Sequence, residues 1–304
     1  MRRVKVTLPA VATEIGPGQD GLGLALGLHA VVEFSERSDH QLVVDTRGEG
    51  AGRYSVGLQH PAVLGMIRVF QKLERASLGV NVVVDSQIPV ESGLNAESAF
   101  HLAGVIGGSN LLGAPLSREQ ALAFAVETGG RPVSVAAAVL GGLVAAFADD
   151  AGLVYRRLAA PTLKTVVVLP ELENYSRRAR GAVPDRAALA DALANLSRLP
   201  LLVEGLRTND TALVARALDD RLRQPRLAAH VTGYGHVVEI ARRAGALGVT
   251  LCGGGPALIA LAETRHQLVA AAILEAFENA GVTARAWVLP VDTQGVVISV
   301  AQSP

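Results

Sequence analysis

The stretch richest in chemistry is IPVESGLNAESAFHLAGVIGG, Ile88 to Gly108. Its first half reads as a loop and its second as a helix beginning near Glu97. Backbone N–H groups at such a junction point outward at the positive end of a helix, an arrangement that holds phosphate. The position a phosphate would approach carries Glu97. A carboxylate about 4 Å from a phosphate charge costs about 4 kcal/mol at an effective dielectric near 20, close to three decades in affinity unless Mg2+ compensates. Two readings stay open. Either Glu97 holds Mg2+ through oxygens or waters, or Asn95 is an N-cap and Glu97 in the first turn satisfies the helix dipole itself.

Two further glycine clusters stand out, GPGQDGLGLAL from Gly16 and LCGGGPALIAL from Leu251. Each alone marks a turn as readily as a ligand site. G-x-x-x-x-G-K-[ST] is absent, as is G-x-G-x-x-G after the first strand. The seven histidines show no H-x-x-x-H pairing, so no zinc site is expected. A serine hydrolase finds no G-x-S-x-G elbow.

The elements that must position these residues come from a chain of 304 residues, which exceeds one typical core and suggests two domains. Twenty-eight basic and 28 acidic residues cancel, which argues against a nucleic-acid or polyanion partner. The single cysteine, Cys252, excludes an internal disulfide and fits a reducing, cytoplasmic setting. Lys5, Pro9 and Glu14 break the first apolar run before a signal core forms, and no segment approaches about 20 uninterrupted apolar residues, so no membrane span is expected.

RRVKVTLPAV reads as a first strand, and the glycine-rich turn after it returns as a second. HQLVVDTRGEGAGRYSVG resembles a hairpin turning at GEGAG. Helical spacing runs from Pro61 to Leu78, and a Ser-x-x-Gln capping box opens a helix at LSREQALAFAVETGG. The pattern resets between Arg157 and Pro161, which places domains at 1–157 and 158–304. Beyond it follow the strand KTVVVLPEL, helices at Asp185–Leu199, Leu201–Arg207, Thr211–Asp220 and Val237–Arg243, and closing strands ARAWVLPV and GVVISVA. Mixed strands and helices without regular βαβ alternation predict two α+β domains.

Taken in order, the glycine segments resemble the GHMP kinases, and homoserine kinase among them. That family opens with P-A-T-S-A-N-L-G-P-G-F-D-x-L-G-L-A-L, against PAVATEIGPGQDGLGLAL at Pro9 to Leu26. Its phosphate loop P-x-x-x-G-L-G-S-S-A-A is matched by PVESGLNAESA at Pro89 to Ala99. E-G-H-P-D-N-V-A-A-A-L-L-G-G is similar to TGGRPVSVAAAVLGG at Thr128 to Gly142, preceded by Glu127. L-S-G-A-G-P-S is met by LCGGGPA at Leu251 to Ala257, and A-R-x-x-L-P by ARGAVP at Ala179 to Pro184.

The resemblance implies a two-domain GHMP kinase fold, with an N-terminal domain like domain 2 of ribosomal protein S5 and a ferredoxin-like C-terminal domain. It implies ATP and Mg2+ as cofactors, although Glu97 stands against both, and an amino-acid substrate phosphorylated on its side-chain hydroxyl. Gly93, Leu94, Asn95, Ala96, Glu97 and Ser98 would hold the nucleotide with Gly253, Gly254 and Gly255. Glu127 falls on the family's metal-binding glutamate and would share Mg2+ with Glu97 or Ser98. Glu14, Asp20, Arg131, Ser134, Arg180 and Arg226 would surround the acceptor, and Glu127, Arg180 and Glu97 would be the catalytic set. Family members are often dimers, so a homodimer is expected from resemblance.

Departures cluster in the chemistry. Asn95, Ala96 and Glu97 replace Gly-Ser-Ser, and Val133 and Ser134 replace Asp-Asn. Glu14 stands for Asn and Gln19 for Phe, and Arg226 lies one position out of the P-Y-R register. A catalytically inactive relative acting as ligand sensor or partner protein is therefore the alternative, and a kinase with a different acceptor or metal-free phosphate chemistry a third.

Overall fold

The computed structural model describes residues 1–54, 56–77, 79–159, 164–183 and 185–302. Pro184 of ARGAVP and the end of the Arg157–Pro161 reset lie outside them.

The chain opens with β1 (Arg2–Thr13) and β2 (Leu22–Arg37), an antiparallel pair. In β1 the alternation that buries Val4, Val6 and Leu8 gives way to a fully buried stretch, Leu8 to Thr13, where both faces are covered. Then come β3 (Leu42–Gly48), α1 (Pro61–Lys72) and β4 (Gly79–Ser86). Among the described residues the expected hairpin at GEGAG does not form. β3 pairs with β4 in parallel, through α1 as crossover, because local alternation says that a strand exists but not which strand it joins.

Next are α2 (Ala96–Leu111), α3 (Arg118–Glu127), α4 (Pro132–Leu140), β5 (Leu143–Asp149) and β6 (Gly152–Leu158). α2 is buried along nearly its whole length, which its small residues permit. At Gly104 an added Cβ would lie 2.0 Å from the Ala62 carbonyl oxygen, so a side chain there would force α1 and α2 apart. The capping box at Ser117 and Gln120 forms as read.

The second layer holds β7 (Thr165–Pro170), α5 (Tyr175–Ala179), α6 (Leu189–Thr208), α7 (Thr211–Ala217), α8 (Gln224–Ala228) and α9 (Tyr234–Ala244). β8 (Gly248–Leu251), β9 (Leu258–Leu261), α10 (His266–Asn279) and β10 (Ala284–Leu289) complete it. Its sheet runs β10-β7-β9-β8, all antiparallel, which in order of appearance is fourth, first, third, second, the ferredoxin-like arrangement. The two helices expected on either side of Pro200 are one, α6. The proline sits on its exposed face, where water can meet the carbonyl left without a donor.

The closing strand β11 (Val297–Gln302) leaves this layer and pairs with β1. The first sheet is thus seven-stranded, β11-β1-β2-β4-β3 with β5 and β6 branching from β2. The proposed division after residue 157 falls at the end of β6, and the chain crosses back over it at β11. No helix among the described residues is long and apolar enough to cross a membrane.

Stability of the fold depends on pH through His60. His60 is fully buried and caps α1: its Nδ1 accepts from the Ala62 N–H at 3.1 Å, leaving Nε2 to donate to Thr46 Oγ1 at 3.3 Å. Burial lowers its pKa to about 4 from an ordinary value of 6.5. The unfolded chain therefore takes up this proton first as pH falls, and stability is lost from about pH 6.5 down to about pH 4, on the order of 2 kcal/mol by pH 5. His60→Asn keeps a cap but cannot titrate. Its melting temperature should fall less between pH 7 and pH 5 than the parent's, and equal falls would disprove the assignment.

Candidate active site

The three glycine segments, far apart in sequence, meet at one place. The Gly253 N–H donates to the Thr13 carbonyl at 2.8 Å, and the Ala257 N–H to the Ser92 carbonyl at 2.9 Å. Gly93, at φ +89°, is pressed so closely on the Cys252–Gly255 turn that a Cβ would lie 2.0 Å from the Cys252 carbonyl oxygen. Leu94 is buried in the core and anchors the loop from below.

Asn95 draws the fourth segment in. Its Nδ2 donates to the Val11 carbonyl at 2.8 Å and lies 3.3 Å from Thr13 Oγ1, while its Oδ1 accepts from Ser134 Oγ at 2.9 Å. At φ +62° it occupies the N-cap position of α2 but makes no side-chain cap. The reading of Asn95 as a capping side chain is thereby corrected: its amide holds neighbouring segments together. The first turn of α2 is left without a side-chain cap, and it opens onto a cleft.

That cleft measures about 640 Å³. One wall is the loop, from Gly93 through Asn95, Ala96, Glu97 and Ser98, and the facing wall is Gly253, Gly254 and Gly255. Arg131, Arg180 and Arg223 line it as well. Glu97 is exposed on the cleft wall, and among the described residues its carboxylate makes no hydrogen bond back to the start of α2. It sits in the first turn of α2, where its charge favours the helix dipole without capping a backbone N–H.

Other expected site residues stand off the cleft wall. Ser134 is buried and bonded to Asn95, Asp20 and Arg226 are exposed elsewhere, and Glu127 ends α3 outside the lining. Among the described residues no three His, Cys, Asp or Glu side chains gather as a metal site, and of Glu97 and Glu127 only Glu97 lines the cleft. Glu14, only 2 % exposed, lies behind the wall at φ +62°. Burial raises its carboxyl above the ordinary range; Arg223 and Arg131 pull it back, and Asp20 and Asp220 add to the rise.

Reading by register singled out Arg226 and missed Arg223, which the structure puts in the cleft. Arg223 is the N-cap of α8, before the helix proper, whereas Arg226 sits exposed in its last turn. The signal that could have found Arg223 is Asp220. This carboxylate, 5 % exposed, accepts from the N–H groups of Leu222, Arg223 and Gln224 at 2.8, 3.1 and 2.7 Å. Asn195 of α6 donates to it at 2.6 Å and Gln19 at 3.2 Å, which gives the departure at Gln19 a structural reason. The Gln224 side chain then bonds both backbone groups of Leu251 in β8.

Removing that acceptor orphans several buried donors at about 1–3 kcal/mol each, partly offset by entering water. Asp220→Ala should cost about 3 kcal/mol, read as a lower urea midpoint at unchanged slope, with Asp220→Asn in between. An unchanged midpoint in the alanine variant would remove Asp220 from this role.

Comparison with known proteins falls on the same segments. The model for the GHMP kinases N terminal domain matches residues 62–142, and that for GHMP kinases C terminal matches residues 202–282. A homoserine kinase of Moorella thermoacetica is 36 % identical over 278 residues, 91 % of this chain and 93 % of that one. The chain belongs to the GHMP kinase family. A homoserine kinase of Nostoc punctiforme is 32 % identical over 296 residues, 96 % of this chain and 97 % of its own. The crystal structure of homoserine kinase from Cytophaga hutchinsonii superposes with a TM-score of 0.88 at 26 % identity, covering 98 % of this chain and 97 % of that one. A mevalonate kinase structure, at 12 % identity, 95 % and 99 % coverage and TM-score 0.70, shares the GHMP fold alone.

Proposed function

We propose that the chain is an ATP-dependent kinase of the homoserine kinase type, which phosphorylates the side-chain hydroxyl of a small amino acid, homoserine first among them. The observation that carries this reading is the uncapped start of α2 opening onto a cleft that three arginines share. Backbone N–H groups with no side-chain acceptor suit phosphate oxygens.

The chemistry of the donors also fits Mg2+. This ion is usually held by one or two carboxylates together with substrate phosphates, and Glu97 and Ser98 supply such oxygens on the loop. When bound, it neutralises charge on the phosphoryl group being transferred. The loop and the Gly253–Gly255 turn would hold the nucleotide's phosphates, and Arg180 and Arg223 offer forks suited to a carboxylate. Val133 is buried and Ser134 already bonded, so neither supplies a base. Phosphoryl transfer leans on positioning and charge more than on proton abstraction, which keeps the kinase reading consistent with that lack.

Glu97, exposed where phosphate would approach, is the observation favouring a second reading, an inactive relative that senses or partners. ATP consumption measured against homoserine, threonine and serine separates the two. Turnover with homoserine above the others is expected; no turnover with any of them would leave the sensor.

A further inference from the structure

Behind the cleft wall lies a network that the family motifs do not spell. Glu14 is all but sealed from solvent, and its two oxygens face two different arginines. Arg131 Nη1 donates to Oε1 at 3.3 Å, and Arg223 Nη2 lies 3.0 Å from Oε2 in an ion pair whose angle falls short of a hydrogen bond. Both guanidinium groups belong to side chains that line the cleft. Arg223 is held at its other end too, because Asp220 accepts from its backbone N–H and from both neighbouring N–H groups. Its Nε is buried without a hydrogen-bond partner. Glu14 Oε2 is likewise buried without a hydrogen-bond partner, so charge rather than a hydrogen bond joins it to Arg223.

We propose that Glu14 is a positioning residue that sets specificity: it holds Arg131 and Arg223 side by side at the cleft wall, so that the pair selects acceptors bearing a carboxylate. This rests on the kinase reading for the identity of the acceptor, but the geometry concerns binding alone. At φ +62° the backbone is left-handed, which Asn and Asp accept better than most residues. An uncharged amide there could meet one guanidinium, but it could not balance two. The charged groups facing Glu14 are Arg223, Arg131, Asp20 and Asp220, and burial already raises its carboxyl. Protonation would release both arginines, so acceptor binding should weaken on the acid side.

The test uses the full chain and compares homoserine with aminopropanol, which is homoserine without its carboxylate. In the parent, homoserine should be preferred by about 100-fold in kcat/KM, a ratio set by a bidentate charge pair. Glu14→Gln should raise the KM for homoserine 10- to 100-fold, leave the KM for ATP and the kcat within about threefold, and flatten the acid limb of kcat/KM. Glu14→Asn, which suits the backbone, serves if the glutamine variant folds poorly. An unchanged homoserine KM with the preference intact overturns the proposal, and so does an equal rise in both KM values.

A second readout separates this from the kinase reading. Homoserine alone should raise the parent's melting temperature, aminopropanol should not, and Glu14→Gln should lose the homoserine shift. That pattern supports the proposal even if no acceptor is turned over, in which case only the kinase reading fails. A homoserine shift retained in the variant, or absent in the parent, overturns it.

Discussion

Gly93→Ala is expected to destabilise the protein by about 3–5 kcal/mol and to abolish nucleotide binding. The backbone at φ +89° costs an L-residue about 1–2 kcal/mol. The new methyl would sit 2.0 Å from the Cys252 carbonyl oxygen and 3.0 Å from the Gly255 nitrogen. Both are backbone atoms of a turn fixed by its own hydrogen bonds, so no flexible side chain can give way, and overpacking adds about 1–3 kcal/mol. The loop that begins at Gly93 would have to lift off the Cys252–Gly255 turn, which distorts the cleft wall. At about 2–4 °C per kcal/mol the melting temperature should fall by roughly 10 °C. A variant melting within about 2 °C of the parent would show that the loop and turn are not in contact in solution.

The second large effect belongs to Glu97, and it is a coupling rather than a loss. If the carboxylate carries the metal, Mg-ATP should raise the melting temperature of the parent while ATP without Mg2+ scarcely does. Repulsion of about 4 kcal/mol, close to three decades, is then felt only by the metal-free nucleotide. Glu97→Ala should weaken the Mg-ATP effect about tenfold and strengthen binding of free ATP, so that the difference between the two collapses. The opposite outcome is as definite. Should Glu97→Ser create Mg-ATP binding that the parent lacks, the carboxylate occupies the phosphate's place and the natural chain is no kinase.

The fold was legible because the glycine segments encode contacts rather than turns alone. The N–H of Gly253 meets Thr13 and Gly93 meets Cys252, so segments some 160 to 240 residues apart must carry small residues together. That correlation holds at Gly93 although Asn95, Ala96 and Glu97 beside it depart from the motif. What stayed illegible was pairing and facing. HQLVVDTRGEG is a strand by composition, yet its partner lies across a helix, and nothing local names it. Pro200 reads as a break, but Leu202 and Leu206 bury one side of α6 while Asn195 ties it to Asp220, and those tertiary contacts outweigh the local preference. In the site, motif register located the loop residues and Arg180 but gave Arg226 for Arg223. It assigned Glu14 to the acceptor, whereas its side chain is sealed behind the wall by the two arginines it holds. Sequence position fixes which segment comes near the cleft; which of its side chains turns inward depends on the neighbour, here Asp220, that pins the backbone.

The pairing of β11 with β1 bears on how the molecule is made. Arg2 lies opposite Gln302, so the outer edge of the first strand has no partner until the last strand has been synthesised. At about 5–20 residues per second that interval is roughly 15–60 s. An unpaired edge with buried-type residues at Val4, Val6 and Leu8 is a template for the wrong partner. Arg3 and Lys5 alternate with those valines and remain exposed in the finished sheet. Charges on a waiting edge discourage other chains from docking, and here they guard a nascent strand until its own partner arrives.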